Sequence, residues 1–200
     1  MIRFYKTLSV MLHPIVVPTI GVILYFLLIP NLYTSKQKFA LLGLIFVTTY
    51  LVPVLVLILF KKLKLIRTYS TNSIKERKIP VALMIVVFYL LANTIANSTS
   101  MADISLLFYA TSAALTFLYL CFAYPLKISI HLLSLGISTG FFILLGFKYN
   151  MSFPIVIIAN VVLAGMVASA RLHLNAHTAK EVYFGYFIGF IAPFLVYYFL

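Results

Sequence analysis

Seven stretches of apolar residues follow one another along the chain, at roughly 10–30, 39–60, 80–97, 104–125, 128–147, 152–171 and 182–200, with only short connections between them. Each is long enough, or nearly so, to cross the ~30 Å hydrocarbon core of a bilayer as a helix. A backbone inside lipid must satisfy its own hydrogen bonds, which runs of this length achieve as α-helices. The expectation is an all-α, polytopic transmembrane helical bundle of about seven spans, forming one domain over 1–200. A soluble domain of 200 residues could not hide such a composition: 64% of the chain is hydrophobic and 9% charged, with a mean hydropathy of +1.13. Pro14 and Pro18 interrupt the first stretch and predict a kink or an interfacial turn at its start. That stretch lacks a small-residue cleavage site and the next span follows closely, so it does not read as a cleavable signal. Gly136/Gly140 and Gly185/Gly189 have GxxxG spacing, the pattern of closely packed membrane helices. The lone Cys121 has no partner for an internal disulfide.

Fifteen Lys and Arg stand against three acids, Glu76, Asp103 and Glu181, for a net charge of +12. The basic residues lie between spans, so nucleic acid is not the expected partner. Membrane lipids are, with a phosphorylated lipid as the sharper reading. Alternating the seven stretches puts Arg3, Lys6, Lys61, Lys62, Lys64, Arg67, Lys75, Arg77, Lys78, Lys127, Arg171 and Lys180 on one side. Only Lys36, Lys38 and Lys148 fall on the other. The positive-inside rule then predicts a multi-pass protein of a bacterial inner membrane, with a cytoplasmic N-terminus and an external C-terminus. So few carboxylates cannot build a Mg²⁺ or Ca²⁺ site. No metal or cofactor is expected, and any phosphate chemistry would be driven by cationic side chains.

Polar residues at membrane depth are costly and need a reason. Three groups share the basic face. They are the loop ending Lys75-Glu76-Arg77-Lys78-Ile79-Pro80, the start of the fifth stretch at Lys127-Ile128-Ser129-Ile130-His131, and the connection 170–181. Three of the four His lie in these groups, and His13 precedes Pro14 near the same face. If the last helix begins near 177, His177 and Glu181 stand one turn apart on one face. The carboxylate could then fix the imidazole tautomer and raise its basicity, freeing the other nitrogen to attack an electrophile. Arg171 offers a multi-donor fork to phosphate oxygens. A metal site from His173, His177 and Glu181 at i, i+4 and i+8 stays open on spacing alone. A transporter is disfavoured, since no charged residue sits at mid-span and no inverted repeat is visible.

ARLHLNAHTAKEVYFGYFIG, at 170–189, resembles the third signature of the type 2 phosphatidic acid phosphatase superfamily, SRxxxxxHxxxD. Arg171, His177 and the acid Glu181 match its spacing. ISIH at 128–131 resembles the family's PSGH, keeping Ser129 and His131. The basic stretch ending at Arg77 and Pro80 stands where KxxxxxxRP would be. HPIVVP at 13–18 resembles an element that opens short transmembrane members of this superfamily from Bacteroidetes-type bacteria. The resemblance covers roughly 70–200 and implies a phosphatase-like core there, preceded by a two-helix extension over 1–69. It implies His177 as nucleophile, Glu181 as its orienting acid and His131 as general acid. Arg171, Ser129, Arg77 and Lys127 would hold phosphate. The chain departs from the pattern at Ser70, Ile128, Ile130, Ala170 and Glu181.

The function so implied is metal-independent hydrolysis of a lipid phosphate or diphosphate through a phosphohistidine. The alternative is a catalytically inactive member that binds lipid headgroups or serves in a membrane complex. The damaged first two signatures favour the second, and the preserved Arg171/His177/acid spacing of the third favours the first. Homo-oligomerisation stays open.

Overall fold

The computed structural model describes residues 2–30, 33–66, 73–98, 101–124 and 126–200. Every described element is a helix, and there are eight: α1 Ile2–Met11, α2 Val17–Leu28, α3 Ser35–Lys62, α4 Ile74–Ser98, α5 Ala102–Cys121, α6 Ile130–Tyr149, α7 Pro154–His173 and α8 Ala179–Phe199. The chain is an all-helical multi-pass membrane protein, with α3 to α8 each long and apolar enough to cross a bilayer. Arg67, Ser70 and the expected 69/70 boundary lie outside the described residues.

The first apolar stretch differs from a simple span. Its two prolines split it, with α1 ending at Met11 and α2 starting at Val17 with Pro18 in its first turn. A missing proline N–H is tolerated most easily in the first turn of a helix. Twelve residues make α2 about 18 Å long, short of a full crossing. Tyr25, in its last turn, nevertheless reaches Asp103 at the start of α5. Pro53 acts differently inside α3. It cannot donate to the carbonyl four residues back, and the helix widens to a π-turn over Val47–Leu51 just before it.

The core of the bundle is the parallel pair α6 and α8, which make the most extensive helix–helix contact. Both GxxxG motifs lie in this seam. A Cβ on Gly136 or Gly140 would run into the carbonyls of Tyr186 and Phe190, and one on Gly189 into that of Leu133. The glycines are there because backbone meets backbone. The fully buried Phe108, Phe141 and Phe142 fill the space where α5 and α6 turn inward, while Ile155, Phe187 and Tyr198 stand exposed on the outside, as lipid-facing residues do.

Candidate anion site at one end of the bundle

The site is built around the corner between α7 and α8. Helix α7 ends in a paired cap. The Ala176 N–H donates to the Arg171 carbonyl at 3.0 Å and the Asn175 N–H to that of Leu172 at 2.9 Å, with Asn175 left-handed at φ 49°. This is the Schellman arrangement, with Asn tolerated where glycine is usual. It reverses the chain within three residues, so that His177 comes just before the N-cap of α8. Thr178 caps α8. Its hydroxyl accepts from the Glu181 N–H at 3.4 Å, and Glu181 Oε2 accepts from the Thr178 N–H at 2.9 Å.

The incoming segment 126–129 is tied to this corner. Lys127 N–H donates to Glu181 Oε1 at 3.1 Å, and Ser129 N–H donates to the Glu181 carbonyl at 3.1 Å. His177 Nδ1 lies 2.8 Å from the Lys127 carbonyl and 3.3 Å from Glu181 Oε2. A carbonyl can only accept, so Nδ1 carries the proton and the neutral ring keeps its lone pair on Nε2. Arg77, in the first turn of α4 and 6% exposed, donates from Nη1 to the Ile128 carbonyl at 3.4 Å.

Helix α1 and the α1–α2 elbow close the other side. Arg171 Nη1 donates to Ser9 Oγ at 3.0 Å, and His131 Nε2 donates to the Ser9 carbonyl at 3.1 Å. His13 packs edge-on against His131, with ring centres 5.2 Å apart, and its Nδ1 accepts from the Ile15 N–H at 3.3 Å. Arg171 Nε is buried without a hydrogen-bond partner. A cavity of about 530 Å³ is lined by Ser9, His13, Arg77, His131, Arg171 and His177 at its polar end. Pro53, Leu57, Met84, Phe88 and Leu115 form its apolar end. Its chemistry is amphiphilic: cations and imidazoles at one pole, hydrocarbon at the other.

The field in this pocket is positive. Burial, reinforced by Arg77, Arg171 and Lys127, pushes the His177 imidazole down to about 4. Burial and then Arg77 also hold Lys127 below its ordinary value, against the pull of Glu181. Burial and then Arg171 lower His13. The expectation that Glu181 would raise the basicity of His177 is therefore reversed. The carboxylate orients the ring, but burial and three cations outweigh it. At neutral pH His177 is uncharged.

Of the residues singled out in the sequence, Arg77, His131, Arg171 and His177 face one cavity. Glu181 and Lys127 stand behind it and hold His177. Ser129 does not reach it: the residue is fully buried and its Oγ has no partner. The single-helix face assumed for His173, His177 and Glu181 does not exist, because the chain reverses at Asn175. His173 instead stacks on Tyr5, with ring centres 4.7 Å apart. Among the described residues no cluster of His, Cys, Asp and Glu could hold a metal ion. Sequence reasoning missed Ser9, which looks like any serine of an amphipathic helix. His13 carried a signal only in its place beside Pro14. No protein-family model, curated protein or solved structure matches the chain.

Proposed function

We propose that this protein is a metal-independent phosphohydrolase for lipid phosphates or diphosphates, with His177 as the nucleophile. The observation that carries the reading is the state of His177: neutral, its proton held on Nδ1 by Lys127 and Glu181, and its Nε2 lone pair left in a cavity with two arginines. Nε2 attacks phosphorus, the bond to the lipid oxygen breaks, and water then hydrolyses the phosphohistidine to inorganic phosphate. Arg171 and Arg77 stabilise the charge on the phosphoryl oxygens. The apolar end of the cavity takes the first part of the lipid tail. By the charge rule the N-terminus and the pocket face the cytoplasm of a bacterial inner membrane.

A second reading, a non-catalytic binder of phosphorylated headgroups, draws on a specific observation. Ser129 is sealed away from the cavity, and the His131 N–H is engaged by the Ser9 carbonyl. The two readings separate in one assay. Purified protein in detergent, with EDTA present, is expected to release phosphate from lysophosphatidate and to carry an acid-labile phosphoryl label after quenching. His177→Gln is expected to abolish both. Binding of the lipid without release or label would establish the binder instead.

A further inference from the structure

Two of the three imidazoles on the cavity have their proton positions set by carbonyl acceptors. His177 donates from Nδ1 to the Lys127 carbonyl, and His131 donates from Nε2 to the Ser9 carbonyl. Both N–H groups are therefore engaged by protein. His13 is the opposite case. Its Nδ1 accepts the Ile15 N–H at 3.3 Å, so the neutral ring carries its proton on Nε2. That edge of the ring makes no hydrogen bond among the described residues, and His13 lines the cavity. The ring is also held: Pro14 follows it, the Val16 N–H donates to the His13 carbonyl at 2.9 Å, and His131 packs against it edge-on. A half-buried N–H donor kept in place without an acceptor lacks a partner that a ligand can supply.

The Arg171 guanidinium lines the same cavity, and Ser9 links the two groups by accepting from Arg171 Nη1 on the helix that leads into His13. An N–H without an acceptor beside a guanidinium, in a pocket lined by cations and, among the described residues, no carboxylate, calls for a ligand rich in acceptor oxygens.

We propose that His13 is a ligand-binding residue of the anion site, donating from Nε2–H to a phosphoryl oxygen of a phosphate monoester held by Arg171. The inference rests on the cavity being the anion site of the proposed function. It adds a residue from the N-terminal elbow, outside the phosphatase-like stretch 70–200. The elbow thereby becomes part of the binding site, since the bound phosphoryl group joins α1–α2 to the α7–α8 corner.

The test uses octylphosphonate, whose C–P bond is not hydrolysed, and inorganic phosphate, each titrated calorimetrically into the detergent-purified full chain. Two substitutions separate the nitrogens of the ring. His13→Asn keeps an acceptor at the Nδ1 position for the Ile15 N–H but lacks the reach of Nε2. His13→Gln keeps a donor near Nε2 and loses the acceptor. The expected result is about tenfold weaker binding for His13→Asn and a change within about threefold for His13→Gln, the scale of one hydrogen bond to a charged ligand. Arg171→Gln is expected to weaken binding at least a hundredfold. Unchanged affinity in His13→Asn with loss in Arg171→Gln overturns the role of His13 and leaves the anion site standing. Unchanged affinity in both, or no binding of either probe by the unaltered protein, overturns both. Loss in His13→Asn for octylphosphonate alone supports the proposal with a lipid headgroup as the source, and loss for both probes supports it with the phosphoryl group as the shared determinant.

Discussion

Asp103 and Arg77 are both charged, both sit in the first turn of a helix, and both are almost fully buried. Asp103 is surrounded by complements. Lys148 Nζ donates to it at 2.6 Å, Tyr25 Oη donates at 2.9 Å, and Tyr149 Oη also donates. Arg77 shares its end of the bundle with Arg171 and Lys127, against the carboxylates of Glu181 and of Glu76 in its own first turn. Helix α6 carries one cluster at each end, with His131 and Lys148 about 25 Å apart along its axis. The same bundle thus closes one polar cluster upon itself and leaves the other short of negative charge. A closed cluster of this kind ties α2, α5 and α6 together. An open one costs stability until an anion supplies the missing charge, and that asymmetry is what supports the proposed anion site.

The largest test of the contrast is Arg171→Gln. It should lower phosphate release about a thousandfold while leaving the melting temperature unchanged or slightly raised, because a buried cation with an unpartnered nitrogen is removed. Asp103→Ala should do the reverse. Loss of a carboxylate that anchors a lysine and two tyrosines is expected to cost on the order of 3 kcal/mol, a fall of roughly 10 °C in a thermal unfolding scan, with octylphosphonate affinity intact. If both substitutions hurt binding and stability alike, the two ends are not independent.

The pH dependence is the next effect in size. In the proposed mechanism the neutral form of His177 is the reactive one, and its pKa lies at about 4 in the folded chain. Turnover limited by this group should stay level from pH 7 to about 5 and then fall, reaching tenfold per unit below 4; an ordinary imidazole would begin to fail near 6.5. Stability follows the same sign. The unfolded chain takes up the proton near 6.5 and the folded chain only near 4, so the folded state loses ground as pH drops through that window. An activity profile with its acid limb near 6.5 would mean that the burial of His177, and the positive field that reinforces it, are absent.

Ser129→Ala is the smallest change and the sharpest discriminator. The hydroxyl is fully buried and unpartnered, so its removal should stabilise the chain by up to about 1 kcal/mol with no effect on turnover. A loss of turnover would mean that Ser129 turns toward the cavity to meet phosphate.

Much of this architecture is legible in the hydropathy, because lipid demands long uninterrupted apolar helices. The stretch expected at 152–171 is α7, Pro154–His173, and that at 128–147 is α6, Ile130–Tyr149. Ends are less legible. The stretch at 104–125 overruns α5, which stops at Cys121, since Phe122 to Tyr124 are as apolar as a helix but form turns before Pro125. The α7–α8 corner could be read from spacing because its contacts are local: Thr178 and Glu181, His177 and Glu181. Ser9 could not. It meets His131 and Arg171 across 122 and 162 residues, and no local pattern encodes that meeting. The sign of the His177 shift was equally hidden, because it depends first on burial in the folded bundle and then on Arg77, Arg171 and Lys127.

Glu181 gives the site an unusual kind of economy. One carboxylate caps α8, fastens the 126–129 segment through the Lys127 N–H and lies beside the His177 proton. Three constraints therefore meet in a single side chain, and no substitution can probe one of them alone. Asp at this position, a methylene shorter, would have to let go of at least one partner. Gln would keep one acceptor oxygen and turn the other toward its neighbours as a donor. The corner behaves as a keystone: whatever preserves the geometry of the nucleophile also preserves the start of the last helix, so reactivity and assembly in this protein are inherited together.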